Sequence, residues 1–347
     1  VGKLYIVTGA KGHVGNTVIK ALLASGENVR ALAVPQDRTK ALYGLNIPIF
    51  EGDVCDPDSL EALFQHDKND ELIVIHTAGI VSISSKQDQK VYDVNVNGTK
   101  NIISMCKKYG VKRLVYVSSV HAIPEKPAGE TITEVSHFDP DLVEGYYAKT
   151  KAEATQAVLD SVKDGLDAVV VHPSGIIGPN DYGRAHMTQM MIDYLDGRLT
   201  ACIEGGYDFV DVRDVADGII AAVDKGRSGE CYILSNTYTD VATLLDNLHQ
   251  LSGKRRIKTV LPRWFALATA PLAELFYKLL GQPPLFTRYS LYTLYSNANF
   301  SHAKATRELG YKPRSLRLTT LDTITWLLEN KRIKKRAALR LRKFCAA

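Results

Sequence analysis

An apolar strand pattern, Leu4–Val7, runs directly into Thr8-Gly9-Ala10-Lys11-Gly12-His13-Val14-Gly15, and a helical pattern, Thr17–Ala24, follows at once. Strand, glycine turn and helix in that order constrain the fold more than any other stretch of the chain. Gly9 permits a tight turn, Gly12 lets backbone approach a pyrophosphate, and Gly15 lets the helix lie close to the sheet. The N-terminus of that helix, at His13 and Val14, favours the negative charge of phosphates. The glycine spacing is three and three, a departure from the two-then-three spacing of the ordinary dinucleotide fingerprint.

The alternation continues to about residue 175. Leu4–Val7, Val29–Val34, Ile47–Phe50, Leu72–His76, Leu114–Ser118 and Ala168–His172 read as buried strands, with helices expected at Thr17–Ala24, Ser59–Gln65, Val91–Tyr109 and Tyr147–Lys163. Strands that are apolar throughout, rather than at alternate positions, belong in a parallel sheet covered on both faces. The expectation is therefore an α/β fold, a doubly wound parallel sheet of the Rossmann kind, with a dinucleotide-binding domain over residues 1–180. After residue 180 the rhythm breaks. Tyr207–Val212, leading into Val215–Val223, and Cys231–Leu234 still look like parts of the main sheet, so 207–235 returns to that domain. Residues 181–206 and 236–330, with helical patterns at Val241–Leu251, Trp264–Leu280 and Leu318–Glu329, form a smaller substrate lobe over the carboxyl ends of the strands.

The charge balance argues against a general polyanion-binding face. The net charge of +5 comes from a basic tail, 331–347, that contains Lys331, Arg332, Lys334, Lys335, Arg336, Arg340, Arg342 and Lys343. No nucleic-acid partner is expected. Ile333, Ala337, Leu339, Leu341 and Phe344 interleave with those cations, so contact of the tail with anionic lipid is an alternative to a solvated terminal helix. The five cysteines, Cys55, Cys106, Cys202, Cys231 and Cys345, are scattered, form no Cys-x-x-Cys pair and suggest no metal site. Free thiols and a chain that opens directly on its first strand give the expectation of a cytoplasmic protein. Trp264–Leu280 is interrupted by Pro271, Glu274 and Lys278 and reads as an amphipathic helix rather than a membrane span.

Further cofactor signals follow in chain order. Gly52-Asp53-Val54 closes the third strand, where Asp53 can accept from an adenine amino group, and His76-Thr77-Ala78-Gly79 closes the fourth, where Ala78 and Gly79 leave room for a nucleotide. The tip of the second strand carries neither an acid for a ribose hydroxyl nor an Arg for a 2′-phosphate. Lys11 and Arg38 outnumber Asp37 nearby, which leans the reading to NADP(H), with NAD(H) the alternative. Tyr147 and Lys151 then stand four residues apart on one helix face, where an ammonium group can lower the pKa of a phenol and fit it for proton transfer.

These stretches, together with Asn95-Val96-Asn97-Gly98-Thr99, Val117-Ser118-Ser119 and His172-Pro173-Ser174-Gly175-Ile176-Ile177-Gly178-Pro179, resemble the motifs of the extended short-chain dehydrogenase/reductase family, in its order. The resemblance covers nearly the whole chain. It implies a Ser–Tyr–Lys mechanism in which Tyr147 exchanges a proton with the substrate oxygen and Ser119 hydrogen-bonds that oxygen. Lys151 would lower the pKa of Tyr147 and hold the nicotinamide ribose, and hydride would move to or from the nicotinamide. Ser118 is the alternative to Ser119, and Pro173 and Ile176 would line the nicotinamide ring.

The substrate reading rests on the second half of the chain. Where the NDP-sugar enzymes of that family place an Arg before Asp-Phe-Val, this chain has Tyr207, so a nucleotide-sugar diphosphate loses its natural partner. Leu261–Trp264, Leu285–Tyr289 and Ala303–Pro313 are similar to the branch containing 3β-hydroxysteroid dehydrogenases and dihydroflavonol 4-reductases. Trp264, Phe265, Phe276, Tyr277 and Phe286 suit a flat apolar small-molecule substrate. The expected activity is hydride transfer between a nicotinamide cofactor and a secondary alcohol or ketone of a bulky, steroid-like or flavonoid-like molecule. The alternatives are an NDP-sugar epimerase or dehydratase and a non-catalytic dinucleotide-binding protein. Relatives in such a family pair through helices like Val91–Tyr109 and Tyr147–Lys163, which makes a homodimer an expectation too.

Overall fold

The computed structural model describes residues 2–67, 69–83, 86–183, 185–269 and 288–345. Seven strands build the main sheet: β1 (Lys3–Thr8), β2 (Asn28–Ala33), β3 (Ile49–Glu51), β4 (Glu71–His76), β5 (Arg113–Val117), β6 (Ala168–Pro173) and, later in the chain, Cys231–Leu234. Their order is Cys231–Leu234, β6, β5, β4, β1, β2, β3, and every pairing is parallel. Alternate residues face opposite layers, and both layers are buried. Ile6, Val74, Leu114 and Val170 pack into one core, and Val7, Ile75, Val115 and Val171 into the other. The third strand is shorter than its apolar run, because Pro48 has no N–H for the ladder; its carbonyl still accepts from Ala31.

The winding of the sheet reverses between β1 and β4, which pair with Thr8 opposite His76 at their carboxyl ends. Such a switch point opens a crevice at the strand tips.

One strand lies elsewhere than the sequence suggests. A short strand β7 (Gly175–Ile177) follows β6, and Cys202–Ile203 (β8) precedes β9 (Gly206–Asp211). β9 pairs with β7, Gly175 opposite Phe209, and with a later strand, Thr237–Asp240, in a separate three-stranded sheet. Of the 207–235 segment, only Cys231–Leu234 joins the main sheet. Gly175 makes the β7–β9 approach possible, since a Cβ there would sit 2.8 Å from the Asp208 carbonyl oxygen.

The helix expected over Val91–Tyr109 is interrupted. A turn of helix, Gln89–Tyr92, passes through a wide π-turn, Asp93–Asn97, into Gly98–Lys108. Asn95 is the reason: its side-chain amide bonds the Ile80 N–H at 2.8 Å, the Ile80 carbonyl at 3.0 Å and the Thr150 hydroxyl at 3.1 Å. The bulge turns Asn95 inward to knit the loop after β4 to the Tyr146–Lys163 helix.

In the second half, Val241–Ser252 is capped by Asp240 and Leu316–Glu329 by Ser315. Arg213 ties Asp211 to Asp322 at 2.7 Å each, and Arg314 bonds Asp214 at 2.7 Å, lashing the late helices to Val212–Lys225. Residues 263–269 are helical with Trp264 70% exposed; the remainder of the Trp264–Leu280 reading, with Phe276, Tyr277 and Phe286, lies outside the described residues. The tail forms a helix, Lys335–Cys345, and spends the apolar stripe Ile333, Ala337 and Leu341 against the body of the protein. Cys55, Cys106, Cys202 and Cys231 are free thiols. Among the described residues no helix is long and apolar enough to cross a membrane.

Candidate active site

At the tips of β1 and β4 the chain closes around a cavity of about 370 Å³. Its floor is the glycine turn, with Gly12, His13, Val14 and Gly15 on the wall. No side chain caps the N-terminus of the His13–Ala24 helix, and its first turn carries no acid. The first N–H groups of a helix have no intrahelical acceptor, so this end is a ready site for phosphate oxygens.

The glycines are required by contact. A Cβ on Gly9, whose φ is +62°, would lie 2.7 Å from the Ala78 nitrogen, and one on Gly15 would lie 2.3 Å from the Gly9 carbonyl oxygen. Backbone stands on both sides, so nothing flexible can yield. Gly15→Ala is expected to weaken dinucleotide binding by roughly tenfold or more, measured as a Kd by quenching of protein fluorescence. An unchanged Kd would show that strand and helix can part without consequence for the ligand.

Behind the turn runs a buried polar chain. The Ala78 N–H donates to Thr8 Oγ1 at 3.2 Å, Thr8 Oγ1 lies 2.7 Å from His76 Nδ1, and His76 Nε2 lies 3.1 Å from Thr99 Oγ1. Thr99 donates its own hydroxyl proton to the Asn95 carbonyl at 2.7 Å. That commitment fixes the tautomer: His76 Nε2–H donates to Thr99, and Nδ1 accepts from Thr8. Burial pushes the His76 pKa down to about 3, with the Lys151 charge acting in the same direction, so the ring is neutral.

Tyr147 and Lys151 occupy one buried face of the Tyr146–Lys163 helix. Burial pushes the Tyr147 phenol up to about 12, and the hydrogen bond from Ser119 opposes it. Ser119 Oγ also accepts from the His121 N–H at 3.2 Å, while the Ser119 carbonyl accepts from buried His172 Nδ1–H at 2.9 Å. Ser118 is turned the other way, its hydroxyl 2.7 Å from Thr155 Oγ1 inside the helix packing. Of the two serines, Ser119 is the one that meets Tyr147.

The Lys151 ammonium donates to the Val117 carbonyl at 2.9 Å and to the Tyr116 hydroxyl at 3.4 Å. Burial alone lowers its pKa from 10.5 to about 7. The side chain reaches beneath Gly79, where a Cβ would stand 3.4 Å from Nζ. The missing Cβ at Gly79 therefore leaves the Lys151 cation open to the cavity.

Of the residues singled out from sequence, Gly12, His13, Val14, Gly15, Gly79, Ser119, Tyr147, Lys151, Pro173 and Ile176 line this one cavity. Gly9 and Ala78 lie just beneath it, backbone on backbone. Asp53 and Val54 stand apart: the Asp53 carboxylate accepts from the Cys55 N–H at 2.9 Å, and Val54 is buried against Gly98. Arg38 is exposed in the loop after β2, where the Lys11 ammonium bonds the Asp37 carbonyl. Asp53, Val54 and Arg38 are not among the residues that line the cavity.

Two residues of the wall carry a weaker signal in the sequence. His121 stacks on Tyr207 with ring centroids 5.6 Å apart, bonds its hydroxyl through Nε2 at 3.2 Å, and meets the edge of Tyr147 at 6.1 Å. Burial lowers the His121 pKa to about 4, leaving a neutral imidazole beside the reacting phenol. Tyr289, from the Arg288–Tyr295 helix, closes the far side, 6.2 Å from His121. Trp264 and Phe265 lie outside the cavity, exposed on their own helix.

The glycine cradle, the uncapped helix end and the cation under Gly79 fit a dinucleotide laid across the sheet. Comparison with known proteins agrees. Residues 5–235 match the model of the NAD dependent epimerase/dehydratase family. Sterol demethylase protein B of Methylococcus capsulatus is 33% identical over 330 residues, covering 93% of this chain and 98% of that protein. A 3 beta-hydroxysteroid dehydrogenase/Delta 5→4-isomerase of Mycobacterium tuberculosis is 29% identical over 337 residues, covering 89% of this chain and 85% of that one. The crystal structure of gox2253 superposes with a TM-score of 0.81 at 31% identity, over 95% of this chain and 99% of that one. The chain thus belongs to the NAD dependent epimerase/dehydratase family, the extended short-chain dehydrogenases/reductases, in the branch of the 3β-hydroxysteroid dehydrogenases and dihydroflavonol 4-reductases.

Proposed function

We propose that this protein is an NAD(P)-dependent oxidoreductase acting on a secondary alcohol or ketone of a bulky apolar molecule. The observation that carries this reading is a single cavity in which the Ser119–Tyr147 pair faces a largely apolar wall of Val81, Ile83, Ile176 and Met187. A nicotinamide dinucleotide bound along the glycine turn supplies or accepts the hydride. The rest is done by side chains. Tyr147 passes its phenolic proton to a carbonyl oxygen, or takes one from a carbinol in the reverse direction. Ser119 donates a hydrogen bond to the same oxygen and, through its bond to Tyr147, favours the phenolate that remains, while Lys151 stands in the same cavity to hold the nicotinamide ribose. Neutral His121 and its partner Tyr207 close the wall beside that oxygen.

The NDP-sugar alternative is disfavoured by Tyr207, whose hydroxyl is bonded to His121 where a diphosphate would need a cation. A screen of steroid, flavonoid and sugar-nucleotide substrates with each cofactor, followed by nicotinamide absorbance, tests both readings. Net cofactor turnover on a fused-ring ketone or alcohol is expected. Tight UDP-sugar binding without net turnover would overturn it in favour of an epimerase.

For the cofactor, the Lys11 ammonium on the Asp37 carbonyl, with exposed Arg38 next in the loop, puts two cationic residues beside the glycine turn and supports NADP(H) over NAD(H). Changing Lys11 and Arg38 together to Ala is expected to raise the Kd of NADP(H) relative to that of NAD(H) by about tenfold or more, since a phosphate loses two cationic partners. Equal binding of both cofactors, with no loss for NADP(H) in the double variant, would sink the preference.

A further inference from the structure

The helix over residues 263–269 holds its large apolar side chains toward water. Ala266 is fully buried in one cluster with Leu291, while Trp264 is 70% exposed, Phe265 39% and Leu267 38%. The two exposed rings meet edge to face with centroids 5.7 Å apart. Val260, just before the helix, is 46% exposed as well. No charged residue stands between 264 and 268 to make this outer face polar.

The surroundings are cationic. From 254 to 268 the chain carries Lys254, Arg255, Arg256, Lys258 and Arg263 and no acid. Arg255, Lys258 and Arg263 are exposed, and Arg256 is held by Asp246 at 2.7 Å. Six residues separate Lys258 from Trp264, at most about 20 Å of extended chain. A second basic element is fastened alongside: the Lys334 N–H donates to the Asp196 carboxylate at 2.8 Å, and Asp196 lines one cleft with Arg255 and Lys258. Because Ile333, Ala337 and Leu341 are turned inward, the tail adds charge there, through exposed Lys334, Lys335 and Arg336, rather than an apolar face of its own.

Indole and phenyl rings favour the headgroup level of a bilayer, and cations favour its anionic lipids. Rings flanked by cations therefore fit that interface, and Val260 and Leu267 add aliphatic surface for which a phosphate backbone has no use. We infer that residues 260–268, with the cations around them, seat the protein on an anionic lipid surface. The helix lies in the interface, since among the described residues none is long and apolar enough to cross a membrane. Its inner side leads to the active site in one step: Leu291 belongs to the Arg288–Tyr295 helix, from which Tyr289 and Thr293 line the cavity. A lipid surface at Trp264 thus stands one packed helix, about 10 Å, from a cavity read as taking bulky apolar molecules.

The chain has two tryptophans, and Trp326 is 8% exposed, so a change in emission on adding vesicles reports Trp264. Vesicles of phosphatidylcholine mixed with phosphatidylglycerol are expected to shift wild-type emission to the blue and to carry the protein down on sedimentation. Phosphatidylcholine alone is expected to bind about tenfold or more weakly, and high salt to weaken binding to the mixed vesicles. Trp264→Ser with Phe265→Ser, and separately Arg255→Glu with Lys258→Glu, are each expected to lower the partition coefficient by about tenfold or more. All four residues are exposed, so the melting temperature should stay close to wild type. Absence of wild-type sedimentation with either vesicle, full binding retained by either double variant, or equal binding to both kinds of vesicle overturns the inference. A concentration-dependent dimer in lipid-free solution that Trp264→Ser dissolves would assign the face to a second copy and overturn it too. None of these measurements needs turnover, so their failure leaves the proposed oxidoreductase activity standing.

Discussion

Replacing Tyr147 by Phe is expected to lower kcat by about 10²–10⁴ on every ketone or alcohol the protein turns over, with dinucleotide affinity and melting temperature close to wild type. The change removes one oxygen. The ring still fills its buried place on the Tyr146–Lys163 helix, and Ser119 keeps its His121 N–H donor and its His172 anchor. What disappears is, among the described residues, the one phenol paired with Ser119 that can carry a proton to the substrate oxygen. Single-turnover absorbance with the variant separates this from a binding defect. Full activity on all substrates would mean that the proton comes from elsewhere and that the assignment of Tyr147 is wrong.

Replacing Lys151 by Met is expected to act in two opposed ways, a loss of turnover of similar size and a gain in stability that depends on pH. Burial holds the Lys151 ammonium at a pKa of about 7 in the fold, against 10.5 in its ordinary state. Between those values the unfolded chain binds more protons than the native one, so the Lys151 contribution makes stability rise with pH. Below pH 7 the penalty of the buried cation is present in full, and above about pH 10.5 it is gone. Met carries no such penalty. The melting-temperature difference between Lys151→Met and wild type should therefore be greatest near pH 6 and shrink as pH rises toward 10. A difference that does not vary with pH would show that the ammonium is solvated and charged throughout. The hydrogen bond from Lys151 to the Val117 carbonyl, lost in the variant, shifts the difference at all pH values and leaves its slope intact.

Much of this site is legible in the sequence because its parts are local. The glycine turn is eight contiguous residues, Tyr147 and Lys151 are one helical turn apart, and strand tips follow strands. Physical spacing along the chain stands in there for spacing in the molecule. Along the chain His121 is one histidine two residues past Ser119, with nothing local to mark it. It acquires its meaning from Tyr207 and Tyr289, which lie on other elements far along the chain. An apolar run shows that Gly206–Asp211 is a strand, but not which sheet accepts it; that is decided by the close approach at Gly175. The π-turn at Asp93–Asn97 has no periodic signature, since it is enforced by the bonds of Asn95 to a different loop. The aromatics at 264–265 stand outside the cavity for a related reason. Helical spacing groups them on a face, but the cavity wall is built from His121, Tyr147 and Tyr289 instead.

The chain of hydrogen bonds from Ala78 through Thr8, His76 and Thr99 to the Asn95 carbonyl runs in one direction only. Each hydroxyl proton is already committed, and the imidazole that links them stays uncharged at any pH at which the protein works. Such a row does not conduct: it starts at an amide N–H and ends at an amide carbonyl, neither of which gives up or takes a proton at ordinary pH. This row therefore carries no proton past the Asn95 carbonyl. Tyr147 lines the cavity, so the opening that a bulky ligand fills is also its path to solvent. Deuterium from solvent should then reach the phenol freely before the substrate enters and only slowly once it is seated.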